Sequence, residues 1–192
     1  VANSTFSGNT AIETVAGAAG DVAQGGAIFQ DDTGPDPSLT LYNVTFSGNS
    51  TTVTGLGTAA GGSIYRNTAT GSITLANTIV ANGTAGGAAN NCSGSAVTDG
   101  GNNIDFNGGG CGIANTANPN LGGLTGSPAY FPLNSGSPAI DTGSNAVCAN
   151  AFVNNQSQNG LTRPQPAAGT CDIGSFEFTD TTAPTLISFT RQ

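Results

Sequence analysis

A seven-residue unit returns along this chain. Asn3-Ser4-Thr5-Phe6-Ser7-Gly8-Asn9 recurs 40 residues on as Asn43-Val44-Thr45-Phe46-Ser47-Gly48-Asn49. It recurs 34 residues further, more weakly, as Asn77-Thr78-Ile79-Val80-Ala81-Asn82-Gly83. A second unit interleaves with it, Gly25-Gly26-Ala27-Ile28-Phe29 and then Gly61-Gly62-Ser63-Ile64-Tyr65, at an offset of 36. Gly100-Gly101-Asn102-Asn103-Ile104 reads as a third, degraded copy of this second unit. Two units alternating in fixed order indicate one supersecondary element used several times, which buries its apolar face only by stacking on its neighbours.

The repeat reads as strand. Leu39-Thr40-Leu41-Tyr42-Asn43 aligns with Ile73-Thr74-Leu75-Ala76-Asn77, and the apolar residues alternate at period two. After Asn43 the apolar parity switches to Val44 and Phe46, as a bend between two short strands would require. Asn3, Asn43 and Asn77 are expected on the inward parity, stacked in a ladder and bonded to one another along it. The Gly-Gly pairs suit tight corners, and Ser-Gly-Asn at 7–9 and 47–49 suits an exit turn. The Ala-, Gly- and Thr-rich intervals 10–24 and 50–60 read as variable loops. These features predict an all-β fold, a right-handed parallel β-helix (solenoid) with an irregular, disulfide-pinned C-terminal cap. The rival, an antiparallel sandwich, leaves the recurrent order of Asn and Gly-Gly unexplained.

Composition narrows the function classes. The 192 residues include 30 Gly, no His, no Met and no Trp, and only 7% are charged, against about 25% in an average domain. Three arginines stand against 11 acids, for a net charge of −8. Phosphate neutralisation needs clustered Lys and Arg, so a nucleic-acid partner is excluded, as is a polybasic membrane anchor. No apolar run approaches the roughly 20 residues of a membrane helix, so membrane insertion is not expected. The four cysteines fall as two local pairs, Cys92 with Cys111 and Cys148 with Cys171, without a CxxC spacing or a histidine. They read as two disulfides, the alternative being four buried free thiols, and hence as an oxidising compartment. No signal peptide is visible and Val1 falls in mid-repeat, so the chain is expected to belong to a longer precursor.

Three regions are expected: coils over 1–126, a cap over 127–179 that covers the last open core, and over 180–192 a linker with the first strand of another domain. The Gly-Gly-Ala-Ile (25–28) and Phe-x-x-Asn (Phe6 to Asn9, Phe46 to Asn49) units resemble the repeats of chlamydial-type polymorphic outer-membrane proteins. Three C-terminal stretches resemble the choice-of-anchor domain of large bacterial secreted proteins. They are Phe131-Pro132-Leu133-Asn134-Ser135-Gly136-Ser137-Pro138-Ala139-Ile140-Asp141, Gly160-Leu161-Thr162-Arg163-Pro164 and Cys171-Asp172-Ile173-Gly174-Ser175-Phe176-Glu177. Thr181 to Gln192 is similar to the entry strand of bacterial Ig-like domains. Asn155-Gln156-Ser157-Gln158-Asn159 departs from the Asp-Gln-Arg that the anchor family places before its Gly. The resemblance implies an extracellular or cell-surface β-helix and no catalytic residues.

Chemistry-bearing residues are few. Glycoside hydrolysis needs two carboxylates across one bond, and proton abstraction needs a base. Without His or Lys, nucleophile triads are excluded. Asp31, Asp32 and Asp36 form an oxygen-rich turn, read first as solvated, second as a calcium site and third as the one adjacent carboxylate pair, Asp31-Asp32, for catalysis. Asp105, in Gly100-Gly101-Asn102-Asn103-Ile104-Asp105-Phe106, resembles one copy of a calcium nonapeptide. No cofactor is expected, with calcium as the alternative. Asp141, Arg163 and Asp172 suggest a buried Arg–Asp pair whose loss destabilises rather than inactivates. Sequons stand at Asn3, Asn43, Asn49, Asn82, Asn91 and Asn155. The expected role is a non-enzymatic structural or adhesive segment, with other surface proteins, saccharides or copies of itself as partners and a fibre or surface layer as its assembly. The alternatives are a carbohydrate-binding or polysaccharide-degrading β-helix and an ice-binding solenoid. Ice binding needs Thr pairs in register, and Thr52-x-Thr54 and Thr68-x-Thr70 do not repeat so.

Overall fold

Threonine, valine, isoleucine and aromatic residues favour extended chain, and they recur in the strands of each repeat. The computed structural model describes residues 1–14, 20–31, 38–67 and 71–179. Asp32, Asp36, Thr68, Thr70 and the expected linker and strand over 180–192 lie outside the described residues. The first pass of the repeat supplies β1 (Ala2–Ser7), β2 (Thr10–Glu13), β3 (Val22–Gln24) and β4 (Ile28–Gln30). The second supplies β5 (Ser38–Ser47), β6 (Ser50–Val53), β7 (Thr58–Ala60) and β8 (Ile64–Arg66). The third supplies β9 (Ser72–Ala76), β10 (Ile79–Ala81), β11 (Thr84–Ala85), β12 (Ala88–Ala89) and β13 (Cys92–Gly94). The fourth is reduced to β14 (Thr98–Asp99) and β15 (Ile104–Phe106), and one short helix follows, α1 (Asn145–Cys148).

The protein is all-β, and its strands pair from pass to pass. β5 lies between β1 and both β9 and β10; β14 and β15 extend the same six-stranded sheet. Every one of these pairings is parallel: Phe6 beside Phe46, Leu39 beside Ile73, Thr98 beside Thr74, Ile79 beside Ile104. Three smaller sheets repeat the arrangement, with β2, β6 and β11, with β4, β8 and β13, and with β3 and β7. The antiparallel pair among the named strands is the hairpin β11–β12. In the six-stranded sheet and along β2, β6 and β11, partner residues are 40 apart between the first two passes and 34 between the next two, and 25 or 24 at the last, whereas β3–β7 and β4–β8 partners are 36 apart and β8–β13 partners 28. The intervals 10–24 and 50–60 therefore differ from the expected loops, since they carry β2, β3, β6 and β7. Small residues there have little apolar surface to announce a strand, and the neighbouring pass supplies the hydrogen bonds instead.

Two columns of left-handed residues bend each pass in the same places. Asn3, Asn43, Asn77 and Asn102 have φ of 46°, 51°, 51° and 52°. Gly8, Gly48, Asn82 and Asn107 follow five residues later in each pass, with φ of 63°, 68°, 55° and 50°. Asn and Gly are the residues that adopt this conformation at least cost. Gly100-Gly101-Asn102 is accordingly a fourth copy of the Asn bend rather than a copy of the Gly-Gly corner. At the true corners a Cβ on Gly26 would lie 2.2 Å from the Gly62 carbonyl oxygen, and one on Gly62 would lie 2.3 Å from the Thr84 nitrogen.

The bend explains the switch in apolar parity. Leu41 before Asn43, and Val44 and Phe46 after it, all enter one core with Ile64, Ile73, Leu75 and Val80. Phe6 stacks on Phe46 with centroids 4.7 Å apart, an arrangement worth about 1 kcal/mol beyond area burial. On the opposite face of the same sheet Ile79, Ala81 and Ile104 form a second core with Leu133, Ala139 and Ile173 of the C-terminal segment. That segment thus lies along the flank of the sheet and touches all four passes. The far end of the first core is closed instead by Cys111 and Ile113, and the Asp105 N–H on β15 donates to the Asn115 carbonyl at 2.9 Å. The outer face presents Ile79, Ala81 and Ile104 to the C-terminal apolar islands.

Candidate functional site

The most elaborate side-chain constellation is the seam between the Asn column and the C-terminal segment. Asn3 Nδ2 donates to the Val153 carbonyl at 3.3 Å. Asn43 Nδ2 donates to the carbonyls of Asp172 at 3.2 Å and Gly174 at 3.4 Å. Asn77 is held both ways: its Nδ2 donates to the Ser144 carbonyl at 3.1 Å, and its Oδ1 accepts from the Ser144 N–H at 2.8 Å. Asn102 Nδ2 donates to the Thr142 carbonyl at 2.8 Å. The expected ladder is therefore corrected: Asn3, Asn43 and Asn77 are in register, but they bond outward to the C-terminal segment and not to one another. The left-handed bend turns each side chain away from the first core, where an amide would lack partners.

The asparagines that do bond to each other stand elsewhere. Asn9 donates both its backbone N–H and its Nδ2 to Asn49 Oδ1, each at 3.0 Å. Asn107 Nδ2 donates to Asn82 Oδ1 at 3.0 Å. The repeat of Ser-Gly-Asn at 7–9 and 47–49 was the signal for the first pair. Asn103, also missed, bridges passes by accepting from the Thr78 N–H at 2.7 Å and donating to the Leu75 carbonyl at 2.7 Å.

Within the segment, Arg163 is 1% exposed and fully engaged. Its Nε donates to the Gln156 carbonyl, and its remaining nitrogens donate to the carbonyls of Asp172 and Gly174 and to Glu177 Oε2 at 2.8 Å. The ion pair is thus Arg163–Glu177, which corrects the expected Arg–Asp pair. Asp172 supplies Arg163 with its backbone, while its carboxylate accepts from the N–H groups of Asp141 at 2.8 Å and Phe178 at 2.5 Å. Glu177 also accepts from the N–H groups of Gln165 and Asp172. Burial lowers the Arg163 pKa against the pull of Glu177 and Asp172. Burial raises Glu177 despite Arg163, and burial lifts Asp172 to about 7 against its backbone donors. Both carboxylates are buried, Asp172 at 1% and Glu177 at 0% exposure, so no sugar reaches them.

The remaining candidates are dispersed. Asp31 is exposed and accepts from Asn67 Nδ2 at 2.8 Å. Asp105 is buried, where Oδ1 accepts from Asn91 Nδ2 at 2.6 Å and Oδ2 from the Cys111 N–H at 3.1 Å. Its oxygens pin a turn. Among the described residues no group of three metal-ligating side chains converges. Thr40, Thr74 and Thr98 are aligned on successive passes, a register that the Thr-x-Thr pairs did not announce. The disulfides are Cys92–Cys111 and Cys148–Cys171, in keeping with an oxidising environment. Among the described residues no helix is long and apolar enough to cross a membrane. No protein-family model, curated protein or solved structure matches the chain.

Proposed function

We propose that the passes are coils of a right-handed parallel β-helix. Its function is to serve as a non-enzymatic structural or adhesive segment of a large bacterial surface or secreted protein, followed by the start of an Ig-like domain. The observation that carries this reading is the parallel pairing of each pass with the next through the six-stranded sheet, repeated between the first passes in the three smaller sheets. Such stacking transmits load through continuous ladders and a continuous core. The resemblance to polymorphic outer-membrane repeats and to the choice-of-anchor domain supports the extracellular setting, as do the disulfides. Charged side chains support the structural role, because Arg163, Asp172, Glu177 and Asp105 are occupied in holding turns. Partners in this reading are other surface proteins, saccharides or further copies. Protease treatment of intact source cells should remove the segment, and particle images of the whole protein should show rods. Protection of the segment in intact cells, or turnover of a polysaccharide by the pure chain, would contradict the proposal.

One observation favours saccharide binding as the adhesive chemistry. Phe152 is 77% exposed and stacks on Tyr42 with centroids 6.3 Å apart. The two rings line a groove of about 280 Å³ with Val1, Ser38, Leu39 and Thr40, an aromatic platform beside hydroxyls. Phe152→Ala should abolish retention on whichever polysaccharide retains the parent chain; retention unchanged would place the adhesive surface elsewhere.

A further inference from the structure

Of the six sequons three are buried, Asn3 and Asn155 are half-buried and Asn82 is exposed. Asn43, Asn49 and Asn91 are 0% exposed, and in each the nitrogen that would carry a sugar is a donor inside the protein. Asn43 Nδ2 reaches Asp172 and Gly174 in the seam. Asn49 Nδ2 donates to the Phe6 carbonyl at 3.0 Å. Asn91 Nδ2 donates to Asp105 Oδ1 at 2.6 Å and to the carbonyls of Val80 and Phe106. A glycan is bulky and belongs on the surface. Linked to any of these nitrogens it would displace a neighbouring pass or the C-terminal segment and leave buried acceptors unpaired. Asn82, by contrast, is exposed at the outer bend of the third pass.

We infer that this chain matures in an oxidising compartment that does not glycosylate Asn-x-Ser/Thr during synthesis, and that the folded chain closes Asn43, Asn49 and Asn91 to glycan while leaving Asn82 open. The two conditions come from independent observations. The disulfides Cys92–Cys111 and Cys148–Cys171 call for oxidation, whereas the buried sequons exclude a machinery that modifies sequons on the nascent chain before burial protects them. A eukaryotic secretory lumen meets the first condition and fails the second; a bacterial periplasm or exterior meets both. The inference rests on burial and disulfide closure and not on the scaffold role.

The test is to direct the same chain to a bacterial periplasm and to a eukaryotic secretory pathway, with and without an inhibitor of sequon glycosylation. Peptide mass mapping and non-reducing electrophoresis read the result. The periplasmic product should be unmodified and carry both disulfides. The eukaryotic product should carry glycan on Asn43, Asn49 or Asn91 and be retained, with secretion restored at least tenfold by the inhibitor. Thr51→Val removes the Asn49 sequon nearly isosterically, at a hydroxyl that has no hydrogen-bond partner, and should lower the retained fraction without changing the periplasmic product. A secreted, disulfide-closed product bearing glycan on any of the three asparagines would overturn the inference. So would one that leaves all three unoccupied without the inhibitor, and so would a periplasmic product that fails to oxidise.

Discussion

Asn77 combines a left-handed backbone at φ 51° with a two-way bond to Ser144. Asn77→Ala meets neither, and should cost about 2–4 kcal/mol from the left-handed strain and the lost buried hydrogen bonds together. Asn77→Gly keeps the backbone and loses only the bonds, so its loss in urea unfolding should be smaller by about 1 kcal/mol. Asp172 makes a prediction about pH. Burial raises its pKa from 3.8 to about 7, so the folded chain holds this proton more tightly than the unfolded chain does. The stabilisation is therefore complete below about pH 4, and it is lost as pH rises toward 7. Thermal melts of Asp172→Asn and the parent should show a shallower fall between pH 4 and pH 7 in the variant; equal slopes would mean that Asp172 does not titrate there. At this scale the sequence was partly legible. The recurrence of Asn3, Asn43 and Asn77 marked a column, but recurrence cannot tell which way a side chain points. The direction depends on the sign of φ, and the bonding partners lie 67 to 150 residues away. Glu177 went unassigned for a similar reason, since nothing local distinguishes it from Asp172 as the partner of Arg163.

Strands were legible where apolar residues alternate, as in β5 and β9, and illegible where Ala, Gly and Thr line the passes, as in β3 and β7. The latter owe their order to the pass beside them, with Ala23 next to Ala59. The Gly-Gly corners were read correctly as tight places for a reason the geometry makes specific. A Cβ on Gly62 would strike the backbone of Thr84 at 2.3 Å and 2.6 Å. Gly62→Ala should therefore destabilise by about 3 kcal/mol, the upper part of the usual overpacking range, because backbone in an adjoining strand cannot swing aside as a side chain can. Denaturant unfolding measures it, and a loss below about 0.5 kcal/mol would show that the corners are not in close contact. Phe46, 0% exposed and stacked on Phe6, offers the complementary cavity test. Phe46→Ala should cost about 3–5 kcal/mol.

For the whole molecule, the repeat order led to parallel stacking, whereas the placement of the C-terminal segment did not follow from it. Stacked strands have two surfaces that need covering, an end and an outer face, and the apolar islands at Phe131, Ile140 and Ile173 suit either one. The outer face is chosen because Ile79, Ala81 and Ile104 make it apolar, while Cys111 and Ile113 of the preceding loop already occupy the end. The central claim is that each pass pairs with the next in parallel. It is tested most directly by through-hydrogen-bond couplings in a long-range NMR correlation of the isotopically labelled chain. Couplings are predicted from the N–H of Ser50 to the carbonyl of Asn9, from Thr84 to Asn49, from Gly48 to Ala81 and from Ile104 to Thr78. Couplings that instead join neighbouring segments in antiparallel hairpins, with none linking one pass to the next, would contradict it.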